Sequence, residues 1–219
     1  MMLRLRLLST ATALVLALLL MTGLSGVARA DTILIANLTN AQENPPVVPT
    51  ASTGGSRPAS FGTAVFSLND AQTAMMMFVS ISNIDVNGTQ TPNDTNDNLA
   101  NAHIHAPAPP GMNASVVWGF WGAPQNTAND IMMVPFQSGV GGIFTATWNL
   151  NEGNAGQTLT SQLGNILGGQ AYINFHTAQF PGGEIRGQIQ LVPEASSLLL
   201  LLTGLAGAAG FSRRRISLS

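Results

Sequence analysis

Gly169-Gln170-Ala171-Tyr172-Ile173-Asn174-Phe175-His176-Thr177, followed after a short turn by Glu184-Ile185-Arg186-Gly187-Gln188, decides the fold. Ala171, Ile173 and Phe175 alternate with Tyr172, Asn174 and His176, the period of a strand with one apolar and one polar face. After Phe180-Pro181-Gly182-Gly183, the apolar Ile185, Ile189 and Leu191 alternate with Glu184, Arg186, Gln188 and Gln190. Joined as a hairpin, the strands keep each face on one side when His176 faces Glu184, Asn174 faces Arg186 and Tyr172 faces Gln188. That register puts a carboxylate beside the His176 imidazole, where it would orient the ring and raise its pKa. Glu184 and Arg186, two residues apart on one face, read as a salt-bridged structural pair.

Period-two patterns recur outward from this hairpin. Residues 32–38 alternate as an opening strand, and 62–69 set Ala64, Phe66 and Leu68 against Thr63, Val65 and Ser67. Residues 75–81 place Met75, Met77, Val79 and Ile81 on one side, and further strands are expected at 102–106, 115–120 and 143–150. The proline-rich stretch 44–58 lacks ladder donors and reads as a loop. Residues 160–167 have helical spacing, with Gly168-Gly169 as the stop. Many short strands and at most one helix predict one all-β domain over residues 31–192, an antiparallel β-sandwich or barrel.

All three histidines lie in two blocks. His103 and His105 flank Ile104 and share a strand face, and His176 belongs to the hairpin. Three neutral imidazoles suit copper or zinc, with Glu184, Asn174 and Arg186 as the surrounding groups. The competing reading makes the same rings hydrogen-bonding pegs between strands. Asp94 and Asp97 sit in the polar stretch 85–98, which lacks EF-hand spacing and reads as a solvated turn rather than a calcium loop. Trp118, Trp121 and Trp148 could stack on sugars, but a place in the core is the favoured reading.

Composition removes other classes. The chain has no cysteine and no lysine, and six of its eight arginines sit in the two ends. Between them, Arg57 and Arg186 stand against nine of the ten acids. Such a surface repels phosphate backbones, which excludes nucleic acid. No Gly-x-Ser-x-Gly elbow is present, Ser115 has no triad setting, and Gly139 to Gly142 is no phosphate loop. The expectation is a protein that is not an enzyme.

The ends read as addresses. Arg4 and Arg6 precede an apolar run, and Ala28-Arg29-Ala30 supplies small residues for cleavage, so residues 1–30 form a signal peptide. At the other end Pro193-Glu194-Ala195-Ser196-Ser197 precedes an apolar stretch and Arg213-Arg214-Arg215. The apolar segment 195–211 spans about 25 Å as a helix, within the range of a membrane span, with its arginines on the cytoplasmic side. Two hydrophobic targeting helices thus flank the domain.

Two family resemblances rest on these residues. Ala102-His103-Ile104-His105-Ala106-Pro107, the hairpin run and the opening Leu38-Thr39-Asn40-Ala41-Gln42-Glu43-Asn44-Pro45-Pro46-Val47 closely resemble the CHRD domain, first named from chordin. The departures are an Asn/Asp-rich insertion before Ala102 and an enlarged Trp118-Gly119-Phe120-Trp121-Gly122 region. The resemblance implies a secreted β-sandwich of Greek-key, immunoglobulin-like or superoxide-dismutase-like kind, and no defined activity. The His-x-His strand also looks like that of copper–zinc superoxide dismutases, which use more histidines than this chain has. The tail resembles the PEP-CTERM signal of Gram-negative bacteria, with Ala195 where Pro is usual. That implies an exosortase and the export machinery as partners, a transient inner-membrane anchor, and release to the cell surface or matrix among exopolysaccharide and surface proteins.

Overall fold

The computed structural model describes residues 31–127 and 130–192. Its strands are β1 (Thr32–Thr39), β2 (Phe61–Leu68), β3 (Ala74–Ser82), β4 (Leu99–His105), β5 (Val116–Trp121), β6 (Met132–Pro135) and β7 (Gly141–Asn149). They continue with β8 (Gly153–Asn154), β9 (Gln157–Thr158), β10 (Tyr172–Thr177), β11 (Ile185–Gln188) and β12 (Gln190–Leu191), and one α-helix, α1 (Leu159–Leu167), precedes β10. Ten strands form one sheet in the spatial order β5-β4-β10-β11-β1-β2-β3-β7-β6, with β12 beside β1. Every pairing in it is antiparallel.

Aromatic contacts show that the sheet curls over on itself. Six strands separate β5 from β7 in the pairing order. Yet Trp118 of β5 stacks on Trp148 of β7 with ring centroids 5.3 Å apart and planes 5° from parallel. Trp121 meets Phe144 edge-on at 5.5 Å, and Phe144 meets Phe175 of β10 at 5.5 Å. Between the facing parts of the sheet lie Leu34, Phe66, Met77, Ile104, Phe120 and Ile173, all buried. An apolar inward face on each strand has one way to leave water in such a sheet, and curling supplies it. The tryptophans belong to the core, the reading the sequence favours over sugar stacking: Trp118 and Trp148 are fully buried, and Trp121 packs half-buried against the core through Phe144.

The hairpin forms in the expected register, with Tyr172 opposite Gln188 and Asn174 opposite Arg186. Its ladder ends at Phe175 and Ile185. The expected strand over 184–191 is interrupted at Ile189, whose N–H turns to the Ala171 carbonyl. Both pieces keep one register against β1, with Thr39 opposite Arg186, Ile35 opposite Gln190 and Leu34 opposite Leu191. The helix starts on a Thr158 cap, whose side chain accepts from the Ser161 N–H. It ends on a Schellman motif, Gly169 N–H to Ile166 and Gln170 N–H to Asn165, with Gly169 at φ +67°. Three short strands had no sequence reading. β6 is a four-residue edge strand closed by Pro135. β8 and β9 flank a two-residue turn with Ala155 and Gly156 both at positive φ.

The expected signal peptide with Ala28 and Ala30, and the expected tail with Pro193, Glu194 and the span 195–211, lie outside the described residues. Among the described residues no helix is long and apolar enough to cross a membrane.

Trp148→Ala should test the curled core. It removes the ring under Trp118 and a 2.7 Å hydrogen bond from Nε1 to the Glu152 carbonyl. A loss of about 3–5 kcal/mol is expected for truncating a buried tryptophan, measured by urea unfolding. A loss below about 1 kcal/mol would show that the two faces do not depend on each other.

Candidate metal centre

The face of β10 that reads as polar is buried. Tyr172 and Asn174 are each 2% exposed and His176 is 6% exposed. β4 pairs alongside with His105 opposite Tyr172 and His103 opposite Asn174, which gathers the histidines on one face. Loops seal them with backbone. The loop after β4 brings the Ala114 carbonyl to His105 Nδ1 at 2.9 Å. The stretch after β5 brings the Ala123 carbonyl to His103 Nε2 at 3.1 Å. The turn after β10 brings the Pro181 carbonyl to His176 Nδ1 at 2.9 Å. Gly119, opposite His103 on β5, permits the approach: a Cβ there would run into the Pro124 carbonyl and lie 3.2 Å from His103 Cδ2.

These contacts fix the tautomers. A carbonyl only accepts, so the ring nitrogen facing it carries the proton. The free lone pairs are then His103 Nδ1, His105 Nε2 and His176 Nε2. His105 Nε2 is buried without a partner. His103 Nδ1 and His176 Nε2 face each other at 3.1 Å. From the Ala123 carbonyl through His103 and His176 to the Pro181 carbonyl there are three contacts, and two neutral imidazoles bring two protons. One contact is therefore a proton short. One ring nitrogen from each histidine lies within 4.8 Å of the others. An ion bound by nitrogens at about 2.0–2.1 Å wants them roughly 3.3 Å apart in a tetrahedron. The 3.1 Å pair already has close to that spacing.

Extra protons are disfavoured. Burial pushes His103 down to about 4, helped by the neighbouring His176. Burial likewise pushes His105 down to about 4, and it lowers His176.

The surrounding groups differ from the expected ones. Glu184 does not orient His176, and its partner is not Arg186. Fully buried, it takes a 2.7 Å ion pair from Arg57, a 2.6 Å hydrogen bond from Thr177 Oγ1 and a short one from Ser60 Oγ. Beyond the end of the ladder the Glu184 side chain is held by Arg57 and Ser60, which precede β2, and by Thr177, the last residue of β10, rather than by His176. Arg186 turns the other way. Its guanidinium sits 3.6 Å above the Tyr172 ring, bonded to Asn113 Oδ1 and the Met112 carbonyl, and Tyr172 stacks on His105 at 4.7 Å. Asn174 donates to Glu43 Oε2 at 3.4 Å.

Glu43, Tyr172 and the three loop carbonyls carry the site and had no assigned role in the sequence. Glu43 stands in the quoted opening block, which was the available signal. Its carboxyl is pushed up to about 7, chiefly by burial. Asp94 and Asp97 are absorbed in loop bonding. Asp94 accepts from the Ser52 and Asn96 amides, and Asp97 from Thr91 Oγ1. Among the described residues neither belongs to a group able to share an ion.

An antiparallel curled sheet with three histidines sealed beneath its loops defines a β-module with a candidate transition-metal centre. The chain belongs to the CHRD domain family, whose model matches residues 34–189. No curated protein and no solved structure is similar enough to the chain to count as a match.

The buried groups oppose one another in pH. His103 and His105 titrate near 6.5 unfolded and near 4 folded, so stability falls as pH drops from about 6.5 to 4. Glu43 titrates at 4.5 unfolded and near 7 folded, so its contribution is lost as pH rises through that window. Two histidines outweigh one glutamate, which places the stability maximum of the metal-free protein near pH 7, on the order of a few kcal/mol above its value at pH 4. Urea unfolding across pH should show it, and Glu43→Gln should steepen the acid limb between about pH 4.5 and 6.5, where the opposing contribution of the carboxyl is removed. A stability curve flat from pH 4 to 7 would contradict the buried neutral assignment.

Proposed function

We propose that the chain is an exported, non-enzymatic CHRD module that holds one copper or zinc ion between His103, His105 and His176. The observation that supports this most directly is the proton deficit between His103 and His176. Two lone pairs facing each other at 3.1 Å repel, and a cation removes the repulsion where burial discourages a proton. Each ring's other nitrogen donates to a carbonyl, the outer-shell arrangement that orients histidine ligands in metal proteins. A binding and structural role fits rings only 4–8% exposed, which leaves a substrate little access to the ion.

Elemental analysis and titration of the chain with copper and zinc test the centre. One equivalent should bind, and His105→Ala should weaken it by about 10- to 100-fold or more. The triple His103/His105/His176→Ala variant should abolish it. Equal binding by the triple variant, or no binding tighter than tens of micromolar to the wild type, removes the reading.

The ends complete the proposal. Cleavage after Ala30 would release the domain outside the cytoplasm, and the tail would hold it at the inner membrane for an exosortase acting at Pro193-Glu194. Its later neighbours would be exopolysaccharide or surface proteins. Glu194→Ala should leave insertion intact and block processing, so the full-length precursor should accumulate in the inner-membrane fraction of a host with the exosortase. Identical size and location of wild type and variant would reduce the tail to a plain membrane anchor.

A further inference from the structure

Resting on the three-histidine reading, we propose that the centre selects monovalent copper, Cu(I), over Cu(II) and Zn(II). The argument is one of charge and ligand number. All three donors are neutral, so the ion keeps its full charge in a site whose walls are 4–8% exposed. The cost of burying an ion grows with the square of its charge, so a dication costs roughly four times a monocation of similar size. Zinc and copper(II) centres offset that cost with a thiolate, a carboxylate or a bound hydroxide.

Among the described residues the chain itself brings neither a thiolate nor an uncommitted carboxylate to the three histidines. The chain has no cysteine. Among the described residues the group able to share an ion consists of the three histidines alone. Glu184 is committed to Arg57, and burial holds Glu43 toward its neutral form. The charge that does face the centre is positive. Arg186 stacks on Tyr172 at 3.6 Å, and Tyr172 stacks on His105 at 4.7 Å with the planes 2° from parallel. A second positive charge on the ion is therefore disfavoured twice, by desolvation and by Arg186.

Ligand number points the same way. Zn(II) in a closed site takes four ligands, and Cu(II) prefers a tetragonal set. Three nitrogens satisfy Cu(I), a d¹⁰ ion with no such demand.

The purified full chain, in detergent and without an added histidine tag, tests this by competition. Bicinchoninate reports Cu(I) under anaerobic reducing conditions, and chromophoric chelators report Zn(II) and Cu(II) in parallel. Cu(I) should bind one to one and about a hundredfold or more tighter than Zn(II), the scale expected of an uncompensated buried charge. The bound copper couple should move positive, by about 59 mV for each tenfold preference for Cu(I) over Cu(II) relative to free copper. Arg186→Gln should narrow that preference and Arg186→Lys should retain it. If Arg186→Gln does not fold, the wild-type competition still decides. Zn(II) or Cu(II) binding as tightly as Cu(I), and lost in the triple histidine variant, would overturn the selectivity while leaving the centre standing. No histidine-dependent binding of any of the three ions would overturn both.

Discussion

The carboxylate of Glu184 is fully buried and receives Arg57, Ser60 and Thr177, and this cluster fixes three separate stretches of chain. Arg57 and Ser60 anchor the end of the proline-rich loop. Thr177 anchors the end of β10, and its hydroxyl also accepts from the Phe180 N–H at 3.3 Å. The Glu184 carbonyl takes Asn40 Nδ2 at 2.8 Å, which ties in the exit of β1. Removing one partner from a buried ion pair leaves an uncompensated charge, a larger loss than the pair's net gain. The cluster therefore holds as a unit. It reaches the histidines through Pro181, whose carbonyl lies in the turn that Thr177 and Glu184 bracket and orients the His176 ring. A carboxylate expected to touch the imidazole acts on it through four residues of backbone.

The same logic extends over the rest of the polar face. A strand face with Tyr, Asn and His can be buried only if every polar atom finds a partner, and the sheet itself has already spent its backbone groups on ladders. The partners must come from irregular chain. Ala114, Ala123 and Pro181 supply carbonyls to the imidazoles, while Met112, Ala108 and Gly169 supply them to Arg186 and Gln188. Carbonyls consume N–H donors and leave nitrogen lone pairs. Sealing the face this way makes it a set of lone pairs pointing inward.

This division of labour explains what was legible in the sequence. The hairpin register could be read because period-two alternation on both strands admits only one pairing that keeps the faces apart. The helix could be read because its spacing and its glycine stop are local. His103 and His105 could be placed together because residues two apart in a strand share a side. Nothing periodic marks a loop that folds back over a sheet, so the sequence reads the face simply as polar, with Glu184 beside His176 and paired with Arg186. Arg57, its actual partner, is 127 residues away in sequence. The short edge strand β6 and the β8–β9 ribbon carry too few residues for alternation to register, and the interruption at Ile189 is a tertiary choice between β10 and β1.

Burial sets the character of the centre in two ways at once. It depresses the imidazoles and raises Glu43, so both kinds of group favour their neutral forms, and neutrality is hardest to keep for the histidines in acid and for Glu43 in base. The histidine side of that balance is also what a metal requires. An imidazole that protonates only near pH 4 offers its lone pair through the range in which an exposed histidine would already be losing it. The fold thus keeps protons from the three nitrogens by the same desolvation that makes a lone-pair-to-lone-pair contact unfavourable. A cation would relieve that contact, and the surrounding protein, with Arg186 stacked behind Tyr172 and Glu184 committed to Arg57, offers little negative charge to offset it.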